Sequence, residues 1–455
     1  MMYIKNLTPF FLALTTLLFS CENTKENTPV NVVFIVVDDL NNTIGCYDHP
    51  TVNTPNIDKL ASQGILFQNA YCNFAVCNPS RSSFLTGLRP QTLGILDNRS
   101  PLREVLGDRI TMPALFRQNG YHTINIGKVF NGSTDENDPN AWDEEYRFGT
   151  TELGRQGVGR NMSQDKLAWC RWLEAEGTDE DQQDGQTAAK AIEFLKRDHD
   201  KPFFLALGFA KPHDPFNAPK KYFESYPLEV CTPPALPVDW EPPYEHTLPG
   251  QTSIFNNFTD QDKREFLRSY YACTSFIDAQ LGKIMDAMEE KGLMENTLIV
   301  FFGDHGYHLG EHNWWNKVTV YEKCHNAPLI IVNGDAAVAG RKTDAMVEFL
   351  DFYPTISSYC GLNGIPEYLE GKSFENLLRN PDASFRDHVN ISTLRGEFKG
   401  RSVKTREWRY TEWDDGNMGT ELYDELNDPL EYYNLSGLEG YDSIQEQMKS
   451  LIIKP

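Results

Sequence analysis

The chain has 455 residues, 40% hydrophobic and 24% charged, which suits one large globular domain with a smaller one beside it. Lys and Arg number 42 against 65 Asp and Glu, so the net charge is −23. This acidic balance argues against nucleic acid as a partner, and it requires any anionic substrate to bind in a local basic pocket.

The N-terminus has the pattern of a secretion signal. Lys5 precedes an apolar run over residues 10–19 that is too short for a comfortable membrane span, and a small residue precedes Cys21 as in a bacterial lipobox. We therefore expect a lipoprotein signal peptide at residues 1–20 and a polar tether at residues 21–29. The mature protein would lie in the bacterial periplasm or outer membrane, held to the membrane only by lipid on Cys21. Ordinary signal cleavage beside an incidental cysteine is the alternative.

Unbroken apolar runs predict strands that are buried on both faces. They occur at residues 32–37, 203–208 and 298–302, and a shorter one at 65–67. Helices are predicted at 187–196, where apolar residues share one face, and after the capping residue Thr54. The second helix would begin with Pro55 and end at Gly64 as its C′ residue. Alternating helices and strands predict an α/β fold.

Two later segments differ in composition from their surroundings. Residues 132–184 are rich in Asp, Glu, Gly and Asn, which predicts a long irregular segment of the kind that forms functional loops. From about Arg386, short strands at 402–405 and 408–413 and a final helix at 441–452 predict a smaller sheet subdomain. We therefore divide the remainder of the chain into two parts: a catalytic domain at 30–385 and a C-terminal subdomain at 386–455.

Acidic residues follow two of the predicted strands. Asp38 and Asp39 end the first strand, and Asp304 and His305 follow the strand at 298–302. Because ligands gather at the carboxyl ends of strands in open parallel sheets, we expect these side chains to meet. Close carboxylates need a cation or protons, and oxygen-rich sites favour Ca²⁺ or Mg²⁺. A strand-end turn and a helix N-cap are the ordinary alternatives.

The run Cys77-Asn78-Pro79-Ser80-Arg81, followed by Leu85-Thr86-Gly87, resembles the signature of type I sulfatases. In that family a maturation enzyme oxidises the cysteine to formylglycine, an aldehyde that hydrates to a gem-diol. One hydroxyl attacks sulfur and the other later expels sulfate, so the reaction is split into two easier steps. A buried hydrophobic cysteine near a turn is the alternative for Cys77.

Further motifs resemble the iduronate-2-sulfatase members of this family, over about residues 32–435. The resemblance implies an alkaline-phosphatase-like sulfatase fold, in which a large mixed, mostly parallel sheet is flanked by helices and joined by the smaller C-terminal sheet. The motifs that carry it are Pro55-Asn56-Ile57-Asp58, Phe67-Gln68-Asn69-Ala70, Gly127-Lys128-Val129-Phe130, Lys211-Pro212-His213, Leu309-Gly310-Glu311-His312 and Trp408-Arg409-Tyr410-Thr411.

The resemblance also implies roles for individual residues. Cys77 would become the formylglycine nucleophile, and Arg81 would hold the hydrated aldehyde. Lys128 and Lys317 would bind sulfate oxygens where charge grows, and His213 would protonate the leaving alcohol. In isolation, Lys128 would be a surface lysine and His213 a loop histidine. One Ca²⁺ per subunit would be held by Asp38, Asp39, Cys77, Asp304 and His305.

These motifs predict a sulfuric ester hydrolase that acts on a sulfated saccharide. The expected target is a 2-O-sulfate on a uronic acid or a related sugar, in a glycosaminoglycan or an algal polysaccharide. One position departs from the iduronate-2-sulfatases: Asn131 stands where they have a histidine. Because Asn cannot titrate, His213 would act alone or the substrate would be oriented differently. Two alternatives are a phosphoester hydrolase of the same superfamily, with a Ser or Thr nucleophile and two zinc ions, and a glycan-binding lipoprotein without catalysis.

Overall fold

The computed structural model describes residues 29–132 and 137–454. The predicted signal peptide and the predicted lipid site at Cys21 lie outside these residues, as does the predicted tether except for Pro29. Across the described ranges, none of the helices combines the length and the apolar composition that a membrane span requires.

The described residues form fifteen strands and twelve α-helices. The strands are β1 (Asn31–Val37), β2 (Ile65–Tyr71), β3 (His122–Gly127), β4 (Glu144–Tyr146), β5 (Gly157–Asn161), β6 (Arg171–Ala175), β7 (Phe203–Phe209), β8 (Phe216–Pro219), β9 (Thr297–Gly303), β10 (Leu329–Val332), β11 (Arg341–Glu348), β12 (His388–Arg395), β13 (Phe398–Thr405), β14 (Trp408–Trp413) and β15 (Thr420–Asp424). The helices are α1 (Pro55–Gln63), α2 (Cys77–Thr86), α3 (Pro90–Leu93), α4 (Leu102–Leu106), α5 (Met112–Gln118), α6 (Gln183–Leu195), α7 (Lys220–Phe223), α8 (Thr252–Phe255), α9 (Asp260–Glu290), α10 (Glu322–His325), α11 (Phe352–Tyr359) and α12 (Asp442–Ser450).

An eight-stranded sheet in the order β11-β2-β10-β9-β1-β7-β3-β4 forms the centre of the molecule. Strand β10 runs antiparallel to both neighbours, and the other pairs are parallel. The four predicted strands all lie in this sheet, three of them adjacent at its centre. The prediction of an α/β fold with a large mixed, mostly parallel sheet is confirmed.

Strand β1 shows why the sheet carries a core on each side. Val33, Ile35 and Val37 join the core against α1, α6 and α9, whereas Phe34 and Val36 join the core against α2, α5 and α11. Successive side chains on a strand point to opposite faces, so an unbroken apolar run is the sequence such a strand needs. Helices on both faces complete the α/β layers.

Helix α1 is capped differently from the prediction. Thr54 makes no side-chain capping hydrogen bond to this helix. Instead, the backbone N–H groups of Asn56 and Ile57 donate to Asp278 Oδ1 at 2.9 and 2.8 Å. Asp278 belongs to α9, so a carboxylate from a distant helix satisfies donors that the first turn leaves free. The Thr54 cap was therefore a wrong prediction, although the helix itself is where the sequence placed it.

Gly64 ends α1 for a different reason from the one predicted. Its φ of −141° is extended rather than left-handed. A Cβ at this position would lie 2.3 Å from the carbonyl oxygen of Ile331, in the neighbouring strand β10. The glycine therefore permits a close approach of two backbones rather than a left-handed C′ conformation.

The segment at 132–184 contains more regular structure than predicted. Its described part contributes β4 to the edge of the main sheet, and β5 and β6 to a three-stranded sheet with β8. Strand β5 has the sequence Gly-Val-Gly-Arg-Asn and is largely exposed, so it lacks the apolar alternation that marks a strand in sequence. The prediction of an irregular segment was wrong over these strands.

The chain ends in the smaller sheet that its sequence predicts. Strands β12 to β15 form an antiparallel four-stranded sheet, and α12 packs against β14. The predicted strands at 402–405 and 408–413 fall within β13 and β14, and α12 falls within the predicted final helix. The proposed boundary between residues 385 and 386 stays a prediction.

Candidate active site

The carboxyl ends of β1 and β9 bring the predicted metal ligands together. The two strands are parallel neighbours, so Asp38 and Asp39 after β1 lie beside Asp304 and His305 after β9. The backbone N–H of Asp39 donates to Asp304 Oδ1 at 3.0 Å, which ties the two strand ends to each other. All four residues are buried.

Cys77 is the first residue of α2, a helix whose ten residues are all buried although six of them are polar or charged. Backbone carbonyls accept hydrogen bonds from several of these side chains: Asn78 Nδ2 donates to Asp97 O, and Ser80 Oγ donates to Asp304 O at 2.5 Å. Buried polar groups are tolerated only with such partners. The hydrogen bond from Ser80 also fixes the helix, and hence Cys77, against the end of β9.

Four side chains offer atoms that could hold one cation. One donor atom each of Asp38, Asp39, Cys77 and His305 lies within 4.8 Å of the others. The Cys77 Sγ is 3.4 Å from Asp38 Oδ1 and 3.7 Å from His305 Nε2. His305 Nδ1 faces the carbonyl of Gly306 at 2.9 Å, an arrangement that assigns the proton to Nδ1 and turns the lone pair of Nε2 into the site.

Asp304 lies at the side of this group rather than within it. Its Oδ1 is 3.7 Å from His305 Nε2, and its Oδ2 accepts a hydrogen bond from Arg81 Nε at 2.9 Å. Asp39 Oδ2, by contrast, is buried and has no hydrogen-bond partner among the described residues. A buried carboxylate oxygen without a donor is an expected ligand for a cation.

Arg81 neutralises the inner side of the cluster. Its side chain is 0% exposed, and its Nη2 lies 3.1 Å from Asp38 Oδ1 while Nη1 donates to the carbonyl of Val129 at 3.0 Å. Burial alone would raise the pKa of Asp38, but the charges of Lys128 and Arg81 hold that pKa well below its usual value. The carboxylate therefore stays ionised.

Two lysines contact the carboxylates of the cluster. Lys128 Nζ lies 2.5 Å from Asp38 Oδ2, and Lys317 Nζ lies 2.5 Å from Asp39 Oδ1 and 3.2 Å from Cys77 Sγ. Burial and Asp38 would raise the pKa of the Cys77 thiol, but Lys128 and Lys317 hold it well below its usual value. The site therefore favours an anion at the position of Sγ.

His213 faces the same carboxylates from the loop after β7. Its Nε2 is 3.9 Å from Asp39 Oδ2, and although burial lowers its pKa, the charge of Asp39 raises it to about 9. The imidazole is then protonated at neutral pH and can act as an acid.

Asn131 is the position at which the sequence departs from the iduronate-2-sulfatases. Its Nδ2 donates to the carbonyl of Asn98 at 3.3 Å.

Asp214 is a candidate site residue that the sequence analysis missed. Its Oδ1 lies 3.6 Å from His213 Nδ1, and one of its carboxylate oxygens lies within 4.8 Å of donor atoms of His213 and Asp39. The sequence signal was an acidic residue directly after a predicted catalytic histidine. The structure thus brings together all nine predicted site residues, while their individual roles stay predictions.

Comparison with known proteins identifies the class. The sulfatase family model matches residues 30–362, and the model of the C-terminal region of N-sulphoglucosamine sulphohydrolase matches residues 310–454. The chain belongs to the sulfatase family, and it is a sulfuric ester hydrolase. The prediction of a type I sulfatase is confirmed.

Within this family the chain is similar to several described proteins. It is 34% identical to a sulfatase of Formosa agariphila, over 98% of this chain and 92% of that protein. It is 31% identical to the iduronate 2-sulfatase of Homo sapiens, over 91% and 93% of the two chains. A solved structure in complex with its substrate D-glucosamine-2-N,6-O-disulfate shares the fold, with a TM-score of 0.76, 23% identity and coverage of 93% and 97%. The predicted sulfatase fold and the closeness to iduronate 2-sulfatase are confirmed.

Proposed function

We propose that this chain removes 2-O-sulfate groups from a uronic acid, or a related sugar, of a sulfated polysaccharide such as a glycosaminoglycan. The observation that carries the proposal is the position of Cys77, whose Sγ contacts Asp38, His305 and Lys317 inside a buried charged cluster. The similarity to iduronate 2-sulfatase supports the choice of sugar and sulfate position.

The chemistry of the donors fits a calcium ion. Asp38, Asp39 and His305 would hold it with the modified Cys77, and the partnerless Asp39 Oδ2 is an oxygen ligand ready for it. Asp304 would complete the set from the side through Oδ1. Bound there, Ca²⁺ would supply positive charge beside the nucleophile and the sulfate oxygens.

The charged groups around Cys77 also fit formylglycine at this position. The Sγ atom marks where the oxygen of the modified side chain would stand, between Lys317 and the carboxylates. The hydrated aldehyde would supply the attacking hydroxyl and a second hydroxyl that permits release of sulfate. The thiol has no second hydroxyl with which to release sulfate. The proposal therefore includes a dedicated maturation enzyme that oxidises Cys77.

The chain's own residues would do the remaining work. Lys317 and Lys128 would bind sulfate oxygens, and Arg81 would orient the nucleophile from below while it fixes Asp38 and Asp304. His213, protonated and within reach of the cluster, would donate its proton to the oxygen of the leaving sugar. Preorganised charges of this kind act where negative charge develops in the transition state.

We also propose that the mature protein is anchored through lipid on Cys21 at the bacterial outer membrane or in the periplasm. The support is the sequence pattern before Cys21. Metabolic labelling with a palmitate analogue tests it, since the label should be lost in Cys21→Ala while the protein is still exported.

The test of the reaction is peptide mass spectrometry of protein coexpressed with a maturation enzyme, combined with sulfate release from defined disaccharides. We expect conversion of the Cys77 thiol to an aldehyde, release from 2-O-sulfated uronate substrates, and loss of release in Cys77→Ala. Cys46, a partly exposed thiol, serves as the unconverted reference peptide. Full conversion with turnover of phosphate esters alone would refute the sulfatase reaction, and release from 6-O-sulfated sugars alone would refute the 2-O assignment.

A further inference from the structure

The loop that carries Lys317 is held by its backbone. Each of six consecutive carbonyl groups in it faces a separate hydrogen-bonding group, as buried backbone outside helices and strands requires. The carbonyls and their donor groups are Trp315 with Tyr307 Oη, Asn316 with His308 N, Lys317 with Trp314 Nε1, Val318 with the Arg395 guanidinium, Thr319 with His325 Nε2 and Val320 with Arg409 Nη1.

Val318, directly after the lysine, has a strained backbone. Its φ is +71°, in the left-handed region that β-branched residues rarely adopt. Such a conformation costs on the order of 1–3 kcal/mol and persists only where surrounding contacts impose it. The contact made by the Val318 carbonyl is therefore part of what keeps this conformation, and with it the direction in which Lys317 leaves the backbone.

Arg395 supplies that contact from the C-terminal sheet. It is the last residue of β12, and besides the Val318 carbonyl its guanidinium donates to the carbonyls of His246 at 3.0 Å and Thr247 at 3.4 Å. Within residues 29–132 and 137–454, no carboxylate lies within salt-bridge distance of Arg395. Burial lowers its pKa to about 10, so the cation is kept in a site that disfavours charge.

The other arginine that donates to this loop, Arg409 of β14, has different partners. Arg409 reaches the Val320 carbonyl, but it also pairs with Glu322, Glu425 and Glu431 and so belongs to a buried ionic network. Arg395 has backbone carbonyls as its partners, and through them it joins β12 to residues 246–247 and to Val318. A guanidinium suits this task because its planar fork offers several N–H donors in fixed directions, which an ammonium cannot do.

We propose that Arg395 is a positioning residue: from the C-terminal sheet it locks Val318 in its left-handed conformation and thereby holds Lys317 Nζ against Asp39 and Cys77. The inference rests on the proposed role of Lys317 at the sulfate group. The C-terminal sheet would then affect the reaction indirectly: it would hold the backbone of the loop that carries Lys317, without contacting the substrate.

Arg395→Met and Arg395→Lys, each alone and combined with Lys317→Met, test this proposal by steady-state sulfate release. We expect both single variants to lower kcat about 10- to 100-fold with a smaller change in KM, because displacement of a catalytic group by about 1 Å can cost this much. In the Lys317→Met background the same substitutions should cost at most about threefold, since the group they position is gone. Arg406→Met is the matched control, because Arg406 belongs to the same subdomain and is 78% exposed.

Hydrogen exchange measured by mass spectrometry provides a readout that does not depend on activity. Arg395→Met and Arg395→Lys should speed exchange in peptides covering residues 314–320 while the central strands β1 and β9 keep their protection. Wild-type activity in Arg395→Lys, an equal loss in the Lys317→Met background, or unchanged exchange in the loop would each overturn the positioning role. If the wild type itself releases no sulfate, the proposed function fails, and the exchange result still decides whether Arg395 orders the loop.

Discussion

Replacing Lys317 by Met is the most direct test of the electrostatic argument. Lys317 Nζ lies 2.5 Å from Asp39 Oδ1 and 3.2 Å from Cys77 Sγ, and its side chain is 9% exposed. Loss of one preorganised donor at a developing oxyanion lowers kcat by about 10²–10³, or about 2.7–4 kcal/mol. We expect a loss of that size in Lys317→Met, with a smaller change in KM.

The same substitution should alter stability in a cation-dependent way. Without Lys317, the buried Asp39 loses its nearest cation, and breaking a buried ion pair costs about 3–5 kcal/mol. Excess Ca²⁺ should offset part of this cost, because it would supply positive charge to the same carboxylate. Thermal unfolding with EDTA should therefore separate the variant from the wild type more strongly than unfolding with Ca²⁺.

The matched control is Lys317→Arg, which keeps the charge but changes its position. We expect it to recover most of the stability and little of the rate. A loss of kcat below about tenfold in Lys317→Met would refute a role at the transition state, since removal of a single donor exceeds that value. A change confined to KM would instead show that the lysine binds the ground state and the transition state equally.

Three further predictions follow from other groups. His213→Asn should slow hydrolysis of sugar sulfates by about 10²–10⁴ but affect an aryl sulfate much less, because a good leaving group needs no proton. Burial lowers the pKa of His312 to about 4, so below about pH 6.5 the unfolded chain takes up a proton that the native one does not. This should cost about 2 kcal/mol at about pH 5, and chemical denaturation of His312→Asn should show a smaller loss of stability between about pH 7 and about pH 5 than the wild type shows. Asp278→Ala should lower the free energy of unfolding by about 1–3 kcal/mol with kcat unchanged, because it leaves the first N–H groups of α1 without their acceptor.

The central sheet and the position of the site could be predicted because both depend on local patterns. The unbroken apolar run before Asp38 predicts a strand buried on both faces, and β1 is such a strand, between β7 and β9. Since parallel neighbours end at one edge, acidic residues after each of two strands must approach each other. The contact between Asp39 and Asp304 follows from that rule.

Features set by contacts distant in sequence could not be predicted. The cap of α1 comes from Asp278, more than two hundred residues further along the chain, and Gly64 is required by the carbonyl of Ile331. The strained backbone of Val318 has no signal in sequence, because valine is among the residues least suited to positive φ. Its partner Arg395 lies in another subdomain, so neither residue could be connected to Lys317 from the sequence.

The proposed role of the two lysines would explain how a chain with net charge −23 binds a sulfated sugar. Lys128 and Lys317 each lie 2.5 Å from a carboxylate of the cation-binding group. A lysine and a divalent cation bound at this site would therefore share the same carboxylates. If a cation bound Asp38 and Asp39, it would weaken the attraction between these carboxylates and the two ammonium groups, which would then be available to bind sulfate oxygens. Binding of the cation and binding of the sulfate group would then favour each other, and the free energy that couples them is the same whichever binds first.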